Sequence, residues 1–161
     1  MRFNHVAIVV TDVERALSLY RDLLGFRLAS DVVLPDESEA IGLDPGQLSE
    51  SFRHAGARAR VLALIVDEAD GSFLEILHPL EPPAAPMPNQ FRGYAFAAIR
   101  EVAFLVDDID VWFERVRSGG YETQTRSVWE AGGLMRSFIF YDQDGNRVQL
   151  VEQTGSFRAS A

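Results

Sequence analysis

Phe3-Asn4-His5-Val6-Ala7-Ile8-Val9-Val10-Thr11-Asp12-Val13 is an apolar, β-branched run with one histidine in it. Its composition reads as a strand, and the scarcity of polar residues beyond Asn4 and His5 as one buried on both faces. Alternation sets Phe3, His5, Ala7 and Val9 on one side and Asn4, Val6, Ile8 and Val10 on the other. The stretch recurs as Arg100-Glu101-Val102-Ala103-Phe104-Leu105-Val106-Asp107-Asp108-Ile109. Superposing the copies sets His5 over Glu101, Val6-Ala7 over Val102-Ala103 and Asp12 over Asp108. A repeat of this length, each copy followed by helical periodicity, predicts two copies of one unit.

Outward from the first copy, Asp12 stands where an N-cap belongs, ahead of Val13, Ala16, Leu17, Tyr20, Leu23 and Leu24 at helical spacing. Gly25 follows as the stop. A strand is expected over 26–34, then a long loop over 35–57 with at most a short helical turn, then strands over 58–66 and 72–77 around a tight turn at 67–71. The prolines at 79, 82, 83, 86 and 88 mark a stiff linker. The second copy predicts a strand over 99–106, a helix over 108–118, a stop at Gly119-Gly120, and strands over 121–128, 134–141 and 146–152. Each half is therefore β-α-β-β-β. The expected organisation is a first module at 1–80, a linker at 81–98, a second module at 99–155 and a polar tail at 156–161.

Composition narrows the function. The 161 residues carry a formal charge of -9, which argues against nucleic acid and anionic membrane as partners. With no cysteine, disulfides and thiolate metal sites are excluded, and a cytoplasmic home is expected. No basic segment leads into an apolar one near Met1, so no signal peptide is expected. No apolar run approaches the ~20 residues that span a bilayer.

Overlaying the last strands sets Gly71-Ser72-Phe73-Leu74-Glu75 against Gly145-Asn146-Arg147-Val148-Gln149, so Glu75 corresponds to Gln149. The halves then supply His5 with Glu75 and Glu101 with Gln149, each the polar residue of an apolar strand. A lone strand histidine is more often a hydrogen-bonded core residue than a ligand, and a lone strand glutamate usually faces water. Four such residues at symmetry-related positions are another matter, because buried carboxylates without a positive partner are costly. A divalent cation among them answers that cost, since imidazole nitrogen and carboxylate or amide oxygens suit Zn²⁺, Ni²⁺, Co²⁺, Mn²⁺, Mg²⁺ or Fe²⁺.

These residues resemble the vicinal oxygen chelate superfamily, which includes glyoxalase I, methylmalonyl-CoA epimerase, extradiol dioxygenases and bleomycin- and fosfomycin-resistance proteins. The resemblance runs over about residues 3–153. Its carriers are His5-Val6-Ala7 with Asp12 and the helix ending Leu24-Gly25-Phe26, then Phe73-Leu74-Glu75-Ile76-Leu77, Val102-Ala103-Phe104-Leu105-Val106-Asp107-Asp108, and the run from Tyr141 to Glu152. It implies an α+β fold of two tandem βαβββ modules whose mixed sheets curl into a cup around one divalent metal. By position the ligands are His5, Glu75, Glu101 and Gln149. The third position is usually His and the fourth usually Glu, so Glu101 and Gln149 depart from the pattern. The set of one His, two Glu and one Gln still resembles that of some glyoxalases, permuted between strands.

The implied chemistry is that of a lyase or isomerase: a proton is abstracted beside a carbonyl while the metal steadies the enediolate or enolate oxygen. Glu101 or Glu75 is the expected base, with His5 and Gln149 as fixed ligands. A pocket lined by Phe73, Leu77, Leu105, either Phe138 and Phe140 or Ile139 and Tyr141, and by Trp129 and Met135 near its mouth suits a small, mostly apolar organic compound. Arg53, Arg58, Arg60 and Arg136 are candidates for gripping an acidic group. The alternatives are a metal-free drug-sequestering protein and an extradiol dioxygenase, the latter disfavoured by the missing second histidine. The resemblance also implies a homodimer, with the apolar segment 94–98 as one candidate contact.

Overall fold

The computed structural model describes residues 3–37, 44–95 and 97–155. The chain divides into two compact units, Met1–Pro86 and Met87–Ala161. The expected tail at 156–161 and part of the expected loop, 38–43, lie outside the described residues.

The first unit runs β1 (His5–Val9), α1 (Val13–Leu17), β2 (Arg27–Leu34), α2 (Pro45–Phe52), β3 (Arg58–Ile65) and β4 (Phe73–Glu81). Asp12 caps α1, its carboxylate accepting from the Arg15 amide at 3.1 Å. The helix widens into a π-helical turn over Ser18–Leu23, and Gly25 ends it with φ 85°. The strands form one sheet in the order β1-β4-β3-β2, with β1 parallel to β4 and both β3 contacts antiparallel. Register pairs His5 with Phe73 and Ala7 with Glu75, so these four share a face.

The two faces of that sheet differ. Ile8, Leu62, Leu64, Leu74 and Ile76 are buried with Val13, Ala16 and Leu17 of α1, each large side chain contributing roughly 1.5–3 kcal/mol. On the other face His5, Ala7 and Val9 are exposed and Phe73, Glu75 and Leu77 half-buried. The expectation that β1 is buried on both faces is thus corrected: the helix covers one face only. Inside the expected loop, α2 opens with a reciprocal cap between Asp44 and Gln47, and Leu48 joins Leu34 and Ala57 in a small satellite core. The proline at 79, read as linker, belongs to β4 and pairs with Ala59. Beyond Leu77, opposite the last residue of β1, that strand has one neighbour, where a missing N–H is tolerated.

The second unit repeats the plan with β5 (Val102–Leu105), α3 (Ile109–Ser118), β6 (Trp129–Ala131), β7 (Met135–Tyr141) and β8 (Arg147–Gln153), in the sheet order β5-β8-β7-β6. Phe138, Phe140, Val148 and Leu150 are buried with Ile109, Phe113 and Val116 of α3, and Phe113 meets Phe138 edge-on at 5.1 Å. Register pairs Ala103 with Gln149, as Ala7 pairs with Glu75. Two strand expectations change. Residues 99–101 precede β5 because the Arg100 guanidinium turns back to the carbonyls of Phe91 and Gly93. Over 121–128 only Thr123 bridges to Phe140, since the Thr125 hydroxyl bonds the Ser127 carbonyl and bends the chain before β6.

Candidate functional site

On the open face of the first unit, the His5 ring stacks on Phe73 with centroids 4.8 Å apart and planes 18° from parallel. Its Nδ1 lies 2.6 Å from Asn4 Oδ1. That oxygen only accepts, so Nδ1 carries the hydrogen, which in the neutral ring leaves the lone pair on Nε2. Glu75 lies between two alanines, Ala7 on β1 and Ala63 on β3, which leave room above it. Its carboxylate has no hydrogen-bond or ionic partner among the described residues.

On the matching face of the second unit, Gln149 is 8 % exposed and lies between Ala103 and Ile139. The Ser137 hydroxyl donates to Leu150 O at 2.8 Å, so its oxygen accepts from Gln149 Nε2, also at 2.8 Å. This fixes the amide with Oε1 uncommitted. Glu101, one residue before β5, is more heavily engaged. Its Oε2 accepts from the Tyr94 hydroxyl at 2.7 Å and lies 3.6 Å from Arg147 Nη2. Burial, then the bond to Glu101, holds the Tyr94 phenol above its ordinary range.

Arg147 was not a sequence candidate, although alternation two residues before Gln149 puts it on the same face. Its side chain is 2 % exposed. Nη2 donates to Gln124 Oε1 at 2.7 Å, and Cζ sits 3.7 Å from the Tyr94 ring centroid. Tyr94, in an irregular segment, was singled out only as part of the apolar run 94–98 and not as a site residue.

The other expectations sort by register. Leu77 and Leu105 lie on the open faces, Leu105 being 72 % exposed. Ile139 and Tyr141 share the face of Gln149, whereas Phe138 and Phe140 are core. Trp129 and Met135 share that face too, at the β6–β7 side of the sheet. Three of the four arginines proposed to grip an acid are internally paired: Arg58 with Asp36, Arg60 with Asp31 and Glu14, and Arg136 with Asp110 and Glu152. Arg53 caps α2 in a left-handed conformation.

Among the described residues, no three His, Asp or Glu side chains gather around a metal position. The donor chemistry nevertheless fits a divalent ion. His5 Nε2, the Glu75 carboxylate, Glu101 Oε1 and Gln149 Oε1 all remain uncommitted among the described residues. Asn4 and Ser137 orient two of these donors in the way that outer hydrogen bonds orient metal ligands.

The family model of the Glyoxalase/Bleomycin resistance protein/Dioxygenase superfamily matches residues 2–150. The chain belongs to this superfamily. Within it, the chain is 45% identical over 40 residues to the mitochondrial methylmalonyl-CoA epimerase of Mus musculus, a stretch covering 25% of this chain and 22% of that protein, so the match spans about a fifth of the epimerase. It is 27% identical over 150 residues to the uncharacterized protein YaeR of Escherichia coli (strain K12), covering 93% and 95% of the two chains. Among solved structures it resembles a glyoxalase family protein from Bacillus cereus, with TM-score 0.73, 20% identity and 96% and 95% coverage. That likeness carries the superfamily fold of paired βαβββ modules. No helix among the described residues is long and apolar enough to cross a membrane.

Proposed function

We propose that this superfamily member is a metal-dependent lyase or isomerase of the glyoxalase type, with His5, Glu75, Glu101 and Gln149 as the holders of one divalent ion. When bound, the ion would polarise a substrate carbonyl oxygen. The observation that carries the reading is the pair of tethered donors: Asn4 on His5 and Ser137 on Gln149 each leave one ligand atom free among the described residues. The partial likeness to an epimerase supports the isomerase class.

Glu75 is the better candidate base. Its carboxylate is free among the described residues, whereas Glu101 shares Oε2 with Tyr94 and Arg147. Glu75 would take the proton from the carbon beside the carbonyl, while Phe73, Leu77, Leu105 and Ile139 offer apolar contacts to a small organic substrate. We further propose a cytoplasmic homodimer.

Elemental analysis of protein purified without chelator, followed by proton–deuterium exchange of small α-carbonyl compounds read by NMR, tests this. A metal near unit stoichiometry, with exchange that falls about 10²-fold or more in Glu75→Gln, is the expected result. Metal-free protein that still binds a small apolar ligand would replace it with the sequestering reading. Arg147 favours that second reading, because it meets the charge of Glu101 without any metal. The dioxygenase alternative is weaker, since His5 is the one imidazole among the proposed ligands.

A further inference from the structure

Equivalent places in the two units carry different side chains. Beside His5 on the neighbouring strand stands Phe73, and Glu101, just ahead of its strand, meets Arg147. The first pair is a ring stack at 4.8 Å and the second an ion pair at 3.6 Å. The arginine is held from two sides, by Gln124 Oε1 on Nη2 and by the Tyr94 ring against Cζ. At 2 % side-chain exposure its charge is poorly screened by solvent ions.

We infer that Arg147 is a resident counter-ion that meets the charge of Glu101 from within the fold and thereby sets, by lowering it, the affinity of this site for a divalent cation. The inference rests on the metal reading above and deepens it. A cation reaching Glu101 Oε1 must share that carboxylate with a fixed positive charge already on Oε2, and the two cations repel through a medium less polar than water. Tyr94 strengthens the arrangement by occupying Oε2 and pressing on the guanidinium at once. Glu75 is then the one uncompensated carboxylate among the four donors.

Calorimetric titration of chelator-stripped protein with Mn²⁺ and with Zn²⁺ tests the inference. Arg147→Met and Arg147→Gln remove the charge, Arg147→Lys retains it, and circular dichroism with a thermal melt checks that each is folded. The uncharged variants are expected to bind the ions at least about tenfold more tightly than the unaltered chain, and Arg147→Lys to stay within about threefold of it. Unchanged or weaker binding in both uncharged variants overturns the inference and leaves the metal reading standing if the unaltered chain binds. An equal gain in Arg147→Lys also overturns it, since shape rather than charge is then responsible. If only the uncharged variants bind, the counter-ion role holds and the metal-dependent reading of the native chain falls. If none binds, both fall.

Discussion

The His5 imidazole lies against Phe73 with ring centroids 4.8 Å apart and planes only 18° from parallel. The contact bridges the parallel pair β1–β4 at its first register position, and with Asn4 it fixes which way Nε2 points. Removing it with Phe73→Ala is expected to cost about 1–2 kcal/mol in urea denaturation. The same variant should weaken metal binding severalfold in calorimetry by freeing the imidazole to rotate. Unaltered metal affinity would show that the stack plays no part in orienting the ligand.

Ser137→Ala removes the acceptor of the buried Gln149 amide. An N–H left unsatisfied in a residue 8 % exposed should cost about 1–3 kcal/mol. Ser137→Thr keeps the hydroxyl and should recover most of the loss if the extra methyl is accommodated. Equal stability of Ser137→Ala and the unaltered chain would mean the amide finds another partner.

The turn before β8 depends on Asp142, which accepts from the amides of Asp144 and Asn146 on Oδ1 and from Asn146 Nδ2 on Oδ2. Asp142→Ala should destabilise by about 2–3 kcal/mol in chemical denaturation. Gly145 in the same turn has φ 89°, and an added Cβ would lie 2.7 Å from Arg92 Nε. Gly145→Ala therefore combines backbone strain with a clash, and its melting temperature should fall as well.

Asp70 illustrates the acid limb of stability. The hydrogen bond from the Ser72 amide, at 2.8 Å, is the first cause holding its carboxyl below the usual range. A depressed folded value means a contribution present above the unfolded carboxyl range of about 4 and lost as pH falls through the lower folded value. The stability difference between the unaltered chain and Asp70→Asn should therefore hold near neutrality and vanish toward pH 2. A difference that persists undiminished to that pH would assign it to the turn and not to ionisation.

Much of this architecture is readable from residues alone, for definable reasons. Period-two alternation around His5 and Glu101, the Asp12 cap and the Gly25 stop are local signals, and the pairings Ala7–Glu75 and Ala103–Gln149 follow the duplication. The start of β5 is not local: it depends on Arg100 reaching back to Phe91 and Gly93. The Asp44-Pro45-Gly46-Gln47 run carries a helix-start signal that places the helical turn allowed within the long loop and extends it to Phe52. At the candidate site, the four polar positions come from the repeat, but the electrostatic argument for a cation takes Glu101 as unpaired. Arg147 and Tyr94 alter that: the repeat sets Arg147 beside Glu101 as Phe73 beside His5, while the Tyr94 contact arises from tertiary packing that no spacing encodes.

The division of labour between the two sides of each sheet has a consequence for how such a chain can change over generations. The apolar layer under α1 and α3 secures folding, while positions 5, 75, 101 and 149 project from the other side and owe that layer little. At positions 5 and 75 a donor can be replaced with little demand on that layer, whereas at 101 and 149 the change also releases Arg147 or Ser137 from its partner. The repeat thus offers two versions of one surface, and the His5–Phe73 and Glu101–Arg147 pairs put different charge at the same place in each.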